Sequence, residues 1–552
     1  MTLISGATFI AETLQKYDVT HVFYVESMLR KSLVEMQRLG IKRVVTHSEK
    51  AAAYMADGYA RVSNKPGVCM AQSVGAANLA AGLQDPFLAH SPVIALTGYK
   101  PAFFQYRNAY QEIPHHPLFE CVTKYNVRID DIEQLPIIFR QAFRETTSSA
   151  PRPAHIDIKG HNGELTDEAE AELKIECEAT YKQCPSSRPV PSEKDMKKAA
   201  DVLLHSKRPV LVVGRGAAIS GAGKEIVALA EKLQIPVASS ADGKGVMPDT
   251  NPLCVGVVGD YSRSCANQIV SESDLVVFIG TGTGDQVTKN WTIPEQGIPI
   301  IHIDINPSEL GRNYPNTLGL LGDARATLQA MAEMVGKKRG PSDWTKQTDE
   351  IMKQWWAKAE KYRNAESTPI RPERICKEIS DLLPDDGIIV ADTGHSAIWA
   401  STMINITSPN QSFIRAAGSL GWAFPASLGA KCAAPQRPVV CFCGDGGFLY
   451  HMSELETASR WNINTITVVN NNSMLGQCAV GIEKTYDNNV LEKEHLYKFQ
   501  NTNFARIAAE FGCIGIQITD PEEIRPALQE AFNARRPVLI DVITDGLAEP
   551  AL

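Results

Sequence analysis

Two hydrophobic periods take turns along the chain. Short apolar runs (VTHVFYV, KPGVCMAQS, SPVIALTG) lie between segments with helical spacing, Gly6 to Tyr17 and Lys50 to Val62. Such runs, bounded by Gly, Pro or polar residues, read as strands buried on both faces, and the helical segments read as their crossovers. The alternation returns in RPVLVVGRGA, KEIVALAEKL, IPVASS, SDLVVFIGTG and IPIIHIDINP, and again in GIIVADTG, PVVCFCGDGG, INTITVVNNN and RPVLIDVIT. The predicted class is α/β, with three doubly wound parallel-sheet domains.

Polar stretches separate the three blocks. Residues 166–190 are acidic and then Pro/Ser-rich, and residues 341–370 are charged, so both read as linkers. The expected domains are therefore 1–165, 191–340 and 371–552. A length of 552 residues fits this division at roughly 150 residues per domain. Charged residues make up 21% and hydrophobic ones 44%, an ordinary globular profile that rules out disorder, collagen and coiled coil. The net charge is −8 and no basic block or stripe occurs, which argues against nucleic acid or an anionic membrane as the main partner. No apolar run approaches the roughly 18 residues of a membrane span, and the N-terminus lacks the basic-then-apolar pattern of a signal peptide. The 12 cysteines are scattered, and the one close pair, Cys441 and Cys443, lies inside an apolar strand. They read as reduced core residues of a cytoplasmic protein rather than metal ligands.

The third block carries the strongest chemical signal. Strand VVCFC runs into Gly444-Asp445-Gly446-Gly447, and a later strand, TITVV, runs into Asn471-Asn472. The spacing holds a crossover helix, MSELETASRW, so both motifs sit at carboxyl ends of neighbouring parallel strands, where open sheets bind ligands. A carboxylate, an amide oxygen and an exposed carbonyl suit a hard cation such as Mg2+, and the glycines let backbone N–H groups approach a diphosphate. In the first block, Glu49 opens an Ala-rich helix in THSEKAAAYMADGYAR, where the helix dipole alone would favour a carboxylate. In IRAAGSLGWAFPASLGA, Gly418 and Gly421 allow a turn ahead of a helix.

Together these motifs resemble the thiamine diphosphate-dependent enzymes, in the branch of acetolactate synthase, benzoylformate decarboxylase and oxalyl-CoA decarboxylase. The resemblance covers the whole chain and implies a pyrimidine-binding, a central and a diphosphate-binding domain in that order. It implies thiamine diphosphate and Mg2+ as cofactors, with Asp445 and Asn472 binding the metal through side chains and Met474 through its carbonyl. Gly394, His395, Ser396, Gly446 and Gly447 would touch the diphosphate. Glu49 would share its proton with pyrimidine N1′ and drive formation of the ylid that attacks a carbonyl. Leu420 would wedge between the two cofactor rings, and the carbonyl of Gly418 would accept from the 4′-amine. Plain core packing of Leu420 stays an alternative.

Other pieces bear on the substrate. AYQEIPHHPLFECVTKYN resembles the synthase stretch in which a Gln, here Gln111, faces the substrate. His115 and His116 read either as acid–base groups, as paired His are in pyruvate decarboxylases, or as a surface-loop pair. Gln72 and Ser73 stand where the benzoylformate decarboxylase branch carries a His. Where the family has a GxPG loop, this chain has Tyr24, Val25, Glu26 and Ser27, and Glu26 is either a second carboxylate near the reaction centre or a surface charge. VVGRGAAISGAG is a loose dinucleotide fingerprint, and GTGTGDQVTKNW stands where synthases carry RFDDR, which argues against FAD without excluding it. The expected activity is an acetolactate synthase-like carboligase/decarboxylase, transferase or lyase, acting on a 2-oxo acid. The alternatives are a 2-hydroxyacyl-CoA lyase or cyclic-diketone hydrolase of the same family, and a non-catalytic cofactor-binding homologue. By the resemblance, active sites form between chains of a homodimer or homotetramer.

Overall fold

The computed structural model describes residues 3–486 and 492–550, and its main framework is three six-stranded parallel sheets. The first runs Lys42–Val45, His21–Tyr24, Gly67–Ala71, Val93–Tyr99, Ala154–Lys159, Tyr125–Ile129 across the sheet. The last runs Ser412–Arg415, Ile388–Ala391, Val439–Gly444, Ile466–Asn471, Val538–Ile543, Ile514–Ile518. In both, the spatial order is second, first, third, fourth, sixth, fifth. The middle sheet instead starts from its third strand: Cys254–Val257, Val237–Ser239, Pro209–Val213, Leu275–Ile279, Ile300–Asp304, Thr317–Leu321. Each apolar run quoted above became a strand because helices cover both faces, leaving no polar side to alternate with.

The charged stretch after the middle sheet is an ordered helix, Asp343–Arg363, capped by the Ser342 hydroxyl, which accepts from Thr345 N. It is docked by its buried faces. Trp344 donates its indole N–H to Pro209 O at 3.0 Å, and the Arg263 guanidinium lies over the rings of Trp355 and Trp356. The acidic stretch after the first sheet likewise returns to the first domain, with Glu170–Ala171 pairing antiparallel to Ile4–Ser5 in a separate two-stranded sheet. Composition alone does not tell a solvated connector from a charged helix with a few buried rings.

Small residues bring the outer two domains together. Helix Glu49–Ser63 packs on Ala423–Ala433 so closely that a Cβ on Gly58 would lie 2.0 Å from the Ala426 carbonyl. Beside that contact, buried Arg61 bonds Asp57 and Asp85 at 2.6 Å and donates to the Arg415 carbonyl. Asp57 accepts from the Trp422 indole at 2.9 Å, and Asp85 accepts from the backbone of Ala417 and Ser419. The ADGYAR part of the motif is thus a buried charge network that ties the first domain to residues 415–422 of the last.

Candidate functional site

Loops gather in an open parallel sheet where the strand order reverses, outside the carboxyl ends of the strands. In the last sheet this point lies between Ile388–Ala391 and Val439–Gly444. A cleft of about 270 Å3 opens there, lined by Gly394, His395, Ser396, Gly418, Leu420, Asp445, Gly446, Gly447, Asn472 and Met474. Four separated segments therefore converge on one place, and Leu420 is half-buried at its wall.

Asp445 is only 3% exposed and follows strand Val439–Gly444 directly. Its Oδ1 accepts from Gly446 N at 2.9 Å and its Oδ2 from Met474 N at 3.1 Å. Asn472 Oδ1 accepts from the same Met474 N–H at 3.2 Å, so carboxylate and amide oxygens meet around one backbone group. Burial pushes the Asp445 carboxyl up to about 7. A cation in the cleft would relieve that cost. Among the described residues no group of three His, Cys, Asp or Glu could hold a metal. An ion here would therefore take amide, carbonyl and ligand oxygens, the donor set of a hard cation bound with phosphate.

Two neighbours escaped the sequence reading. Asp392, buried and pushed up to about 6 by burial, accepts from the backbone of Thr393, Gly421 and Ala423. It anchors the loop that carries Gly418 and Leu420. Asn470 donates to the Ser396 hydroxyl at 3.4 Å. Both stand inside the ADTG and NNN motifs, but only the folded chain brings their partners to them.

A second cluster forms at the reversal point of the first sheet, after His21–Tyr24 and Gly67–Ala71. Glu49 is half-buried, and its Oε2 accepts from Asn78 Nδ2 at 3.2 Å. Gly75 makes room for it, since a Cβ there would lie 2.4 Å from Glu49 Oε1. Ser73 is buried and donates its hydroxyl to the Gln111 carbonyl at 2.8 Å, while Gln72 Oε1 is buried with no partner among the described residues. His161, which the sequence did not flag, bonds Gln111 Oε1 through Nε2 at 2.7 Å.

The remaining expected residues lie elsewhere. His115 is buried, with Nε2 against Asp157 at 2.9 Å, and His116 reaches the same carboxylate at 3.8 Å. Thr97, His155 and Arg128 complete a network around Asp157, and neither His115 nor His116 bonds Gln111 or Glu49. Glu26 lies at the surface, where Arg30 donates to it at 2.7 Å. Met28 and Leu29, just beyond it, are buried in the first domain's core.

No described residue before Thr393 lines the Asp445 cleft, so Glu49 lies outside it within one chain. Close to the Glu49 half, the segment before Gln111 exposes Phe103 (71%), Tyr106 (97%) and Tyr110 (80%).

The middle sheet has a pocket of about 420 Å3 at its own reversal point, lined by Arg215, Asp242, Asp285, Asp304, Glu309, Asp323 and Arg415 among others. Burial pushes Asp304 up to about 6. Raised above its unfolded value, this carboxyl favours folding only while protonated, so stability falls as pH rises from about 4 to about 6. Asp304→Asn keeps an oxygen for the Asn306 N–H and removes the charge. It is expected to raise the melting temperature at pH 7 by a few degrees and to leave it unchanged at pH 4. Equal effects at both pH values would overturn the assignment.

Comparison with known proteins agrees in all three domains. The thiamine pyrophosphate enzyme family models match residues 4–118 (N-terminal TPP binding domain), 196–331 (central domain) and 392–542 (C-terminal TPP binding domain). A probable acetolactate synthase large subunit of Methanocaldococcus jannaschii is 32% identical over 98% of this chain and 92% of the relative. The acetolactate synthase large subunit of Haemophilus influenzae is 28% identical, covering 99% and 95%. A putative thiamine pyrophosphate-containing protein of Bacillus subtilis, YdaP, is also 28% identical, covering 98% and 92%.

Proposed function

The chain belongs to the thiamine pyrophosphate enzyme family, and we propose that it is an acetolactate synthase-like carboligase/decarboxylase that uses Mg2+ and acts on a 2-oxo acid. Thiamine diphosphate, when bound, supplies a carbanion equivalent that adds to a carbonyl and stabilises the charge left as CO2 departs. Everything else is the work of this chain's residues.

The observation that carries the reading is the convergence of Asp445, Asn472 and Met474 beneath a glycine-lined cleft. Asp445 and Asn472, with the Met474 carbonyl, would hold Mg2+. Gly394, His395, Ser396, Gly446 and Gly447 would line the diphosphate, and Gly418 and Leu420, fixed through Asp392, would orient the rings. Glu49 holds and returns a proton, and Gln111 faces the substrate. We assign His115 and His116 to the Asp157 network instead of to proton transfer. FAD is left out of the cofactor set, because Arg415 in the central pocket is already committed to Asp242 and Gln286.

The two half-sites are completed between two copies of the chain, as a homodimer or homotetramer. Support comes from the exposed aromatic side chains of the segment before Gln111, which a second copy would cover. Relatives named as large subunits fit an assembled enzyme. No helix among the described residues is long and apolar enough to cross a membrane, and we place the enzyme in the cytoplasm.

Gly75→Ala tests the placement of Glu49. A methyl group there displaces the carboxylate, so kcat is expected to fall at least about tenfold with little change in melting temperature. Unchanged kcat would show that Glu49 needs no such room. The reaction itself is tested by 13C NMR of pyruvate, labelled at its methyl carbon, with protein saturated in thiamine diphosphate and Mg2+. Two pyruvates giving one 2-acetolactate and one CO2 is the expected result. Acetaldehyde would make the protein a decarboxylase, and no consumption of pyruvate or larger 2-oxo acids would overturn the reading and favour an acyl-CoA or cyclic-diketone substrate.

A further inference from the structure

Gln111 sits in a strained position. Its φ of +57° lies in the left-handed region that a residue with a Cβ rarely adopts. The residue is held there through both its backbone and its side chain. Ser73 donates to the Gln111 carbonyl, and His161 bonds the side-chain oxygen.

The chemistry of that second bond is directional. An amide oxygen only accepts, so His161 must carry its proton on Nε2. Its Nδ1 is buried with no partner among the described residues, which an acceptor tolerates better than an N–H would. Burial, with the nearby charge of Lys100 and against that of Glu164, lowers the His161 pKa and so favours the neutral ring. With the oxygen occupied, the Gln111 amide nitrogen is left as a donor with no hydrogen bond among the described residues. Lys100 likewise makes no ion pair among them.

The loop that carries His161 is held by Leu29, just beyond the unusual segment at residues 24–27. Leu29 N donates to Asn162 O at 2.9 Å, and a Cβ on Gly163 would lie 2.9 Å from Leu29 Cδ2.

We propose that His161 is a positioning residue that determines specificity: by donating Nε2–H to Gln111 it turns the Gln111 amide nitrogen toward a carboxylate oxygen of the substrate. The proposal rests on the 2-oxo acid reading above and adds to it the group that recognises the acid. Lys100 contributes positive charge to the same wall.

The test uses the holoenzyme with thiamine diphosphate, Mg2+ and pyruvate. His161→Leu should raise KM for pyruvate by about ten- to a hundredfold, the range of a hydrogen bond to a charged group, with kcat within about threefold. His161→Asn offers an amide N–H at the same place and should restore most of the affinity. In 15N NMR of the wild-type protein, His161 should show the neutral Nε2–H tautomer, and Gln111→Leu should abolish that preference. Unchanged KM in His161→Leu, or an Nδ1–H tautomer in the wild type, would overturn the proposal. So would equal losses in both His161 variants, which a purely structural role predicts. If His161→Leu fails to fold, the tautomer and His161→Asn still decide. Absence of any 2-oxo acid turnover by the wild type would remove the carboxylate and the reading beneath it together, while the tautomer would still report on the His161–Gln111 pair.

Discussion

Glu49→Gln is expected to lower kcat by about two to four orders of magnitude while leaving the fold and cofactor affinity nearly intact. The substitution is close to isosteric, and Gln can still accept from Asn78 in the space left by Gly75. What it cannot do is hold a proton and give it back. Glu49 makes no ion pair among the described residues, so no buried charge is orphaned by the change. The measurement that separates activation from binding is exchange of the C2 proton of bound thiamine diphosphate in deuterated buffer, followed by 1H NMR. Exchange as fast as in the wild type would remove Glu49 from the activating role, whatever happened to kcat.

Asp445→Ala should abolish Mg2+-dependent retention of thiamine diphosphate, weakening it by at least about a hundredfold. Here the structure makes an unusual second prediction. Because burial already pushes this carboxyl up to about 7, its charge destabilises the metal-free protein near neutral pH. Asp445→Asn, which keeps an oxygen for Gly446 N and Met474 N, should therefore melt no lower than the wild type without cofactor, and higher at pH 8. With cofactor and Mg2+ the order should reverse, since only the wild type gains stability from binding. Full cofactor retention by Asp445→Ala, checked by equilibrium dialysis, would sink the metal assignment. A fall in stability of apo Asp445→Asn would show that the carboxylate serves the fold instead.

On the proposed assembly, the two experiments probe different halves of one site. Glu49 belongs to the reversal point of the first sheet and Asp445 to that of the last, and no residue of the first domain lines the Asp445 cleft. Mixing the two inactive variants therefore offers a direct check on assembly. Chains carrying either defect alone should regain part of the activity when exchanged into one oligomer, because some sites then receive an intact Glu49 and an intact Asp445.

How far the sequence reaches can be judged residue by residue. Strands such as Val439–Gly444 and Ile466–Asn471 were legible because a strand buried on both faces must be continuously apolar. GDGG and NN followed them at the carboxyl ends, so the place of the cleft was legible too. The helix Asp343–Arg363 was not, since its charges are real and only three-dimensional packing shows that Trp344 and Trp355 are buried. The His115–His116 pair looked chemical in sequence. Folding turns it toward Asp157, a carboxylate from a strand far along the chain. Asp392 lies in a motif read for its glycine, and its importance comes from three backbone N–H groups, two of them across the domain.

The sequence by itself determined the three parallel-sheet domains and the positions where strands hand over to Gly-rich, acidic or amide turns. Those features depend on local periodicity and on short spacings that the chain's geometry cannot evade. Only the tertiary structure decided which side chains meet: Asp392 with the Leu420 loop, Gly75 with Glu49, His161 with Gln111, and Glu26 with solvent and Arg30. Such pairings join segments distant in sequence, and their energies come from burial and directed hydrogen bonds that exist only once the sheets are packed.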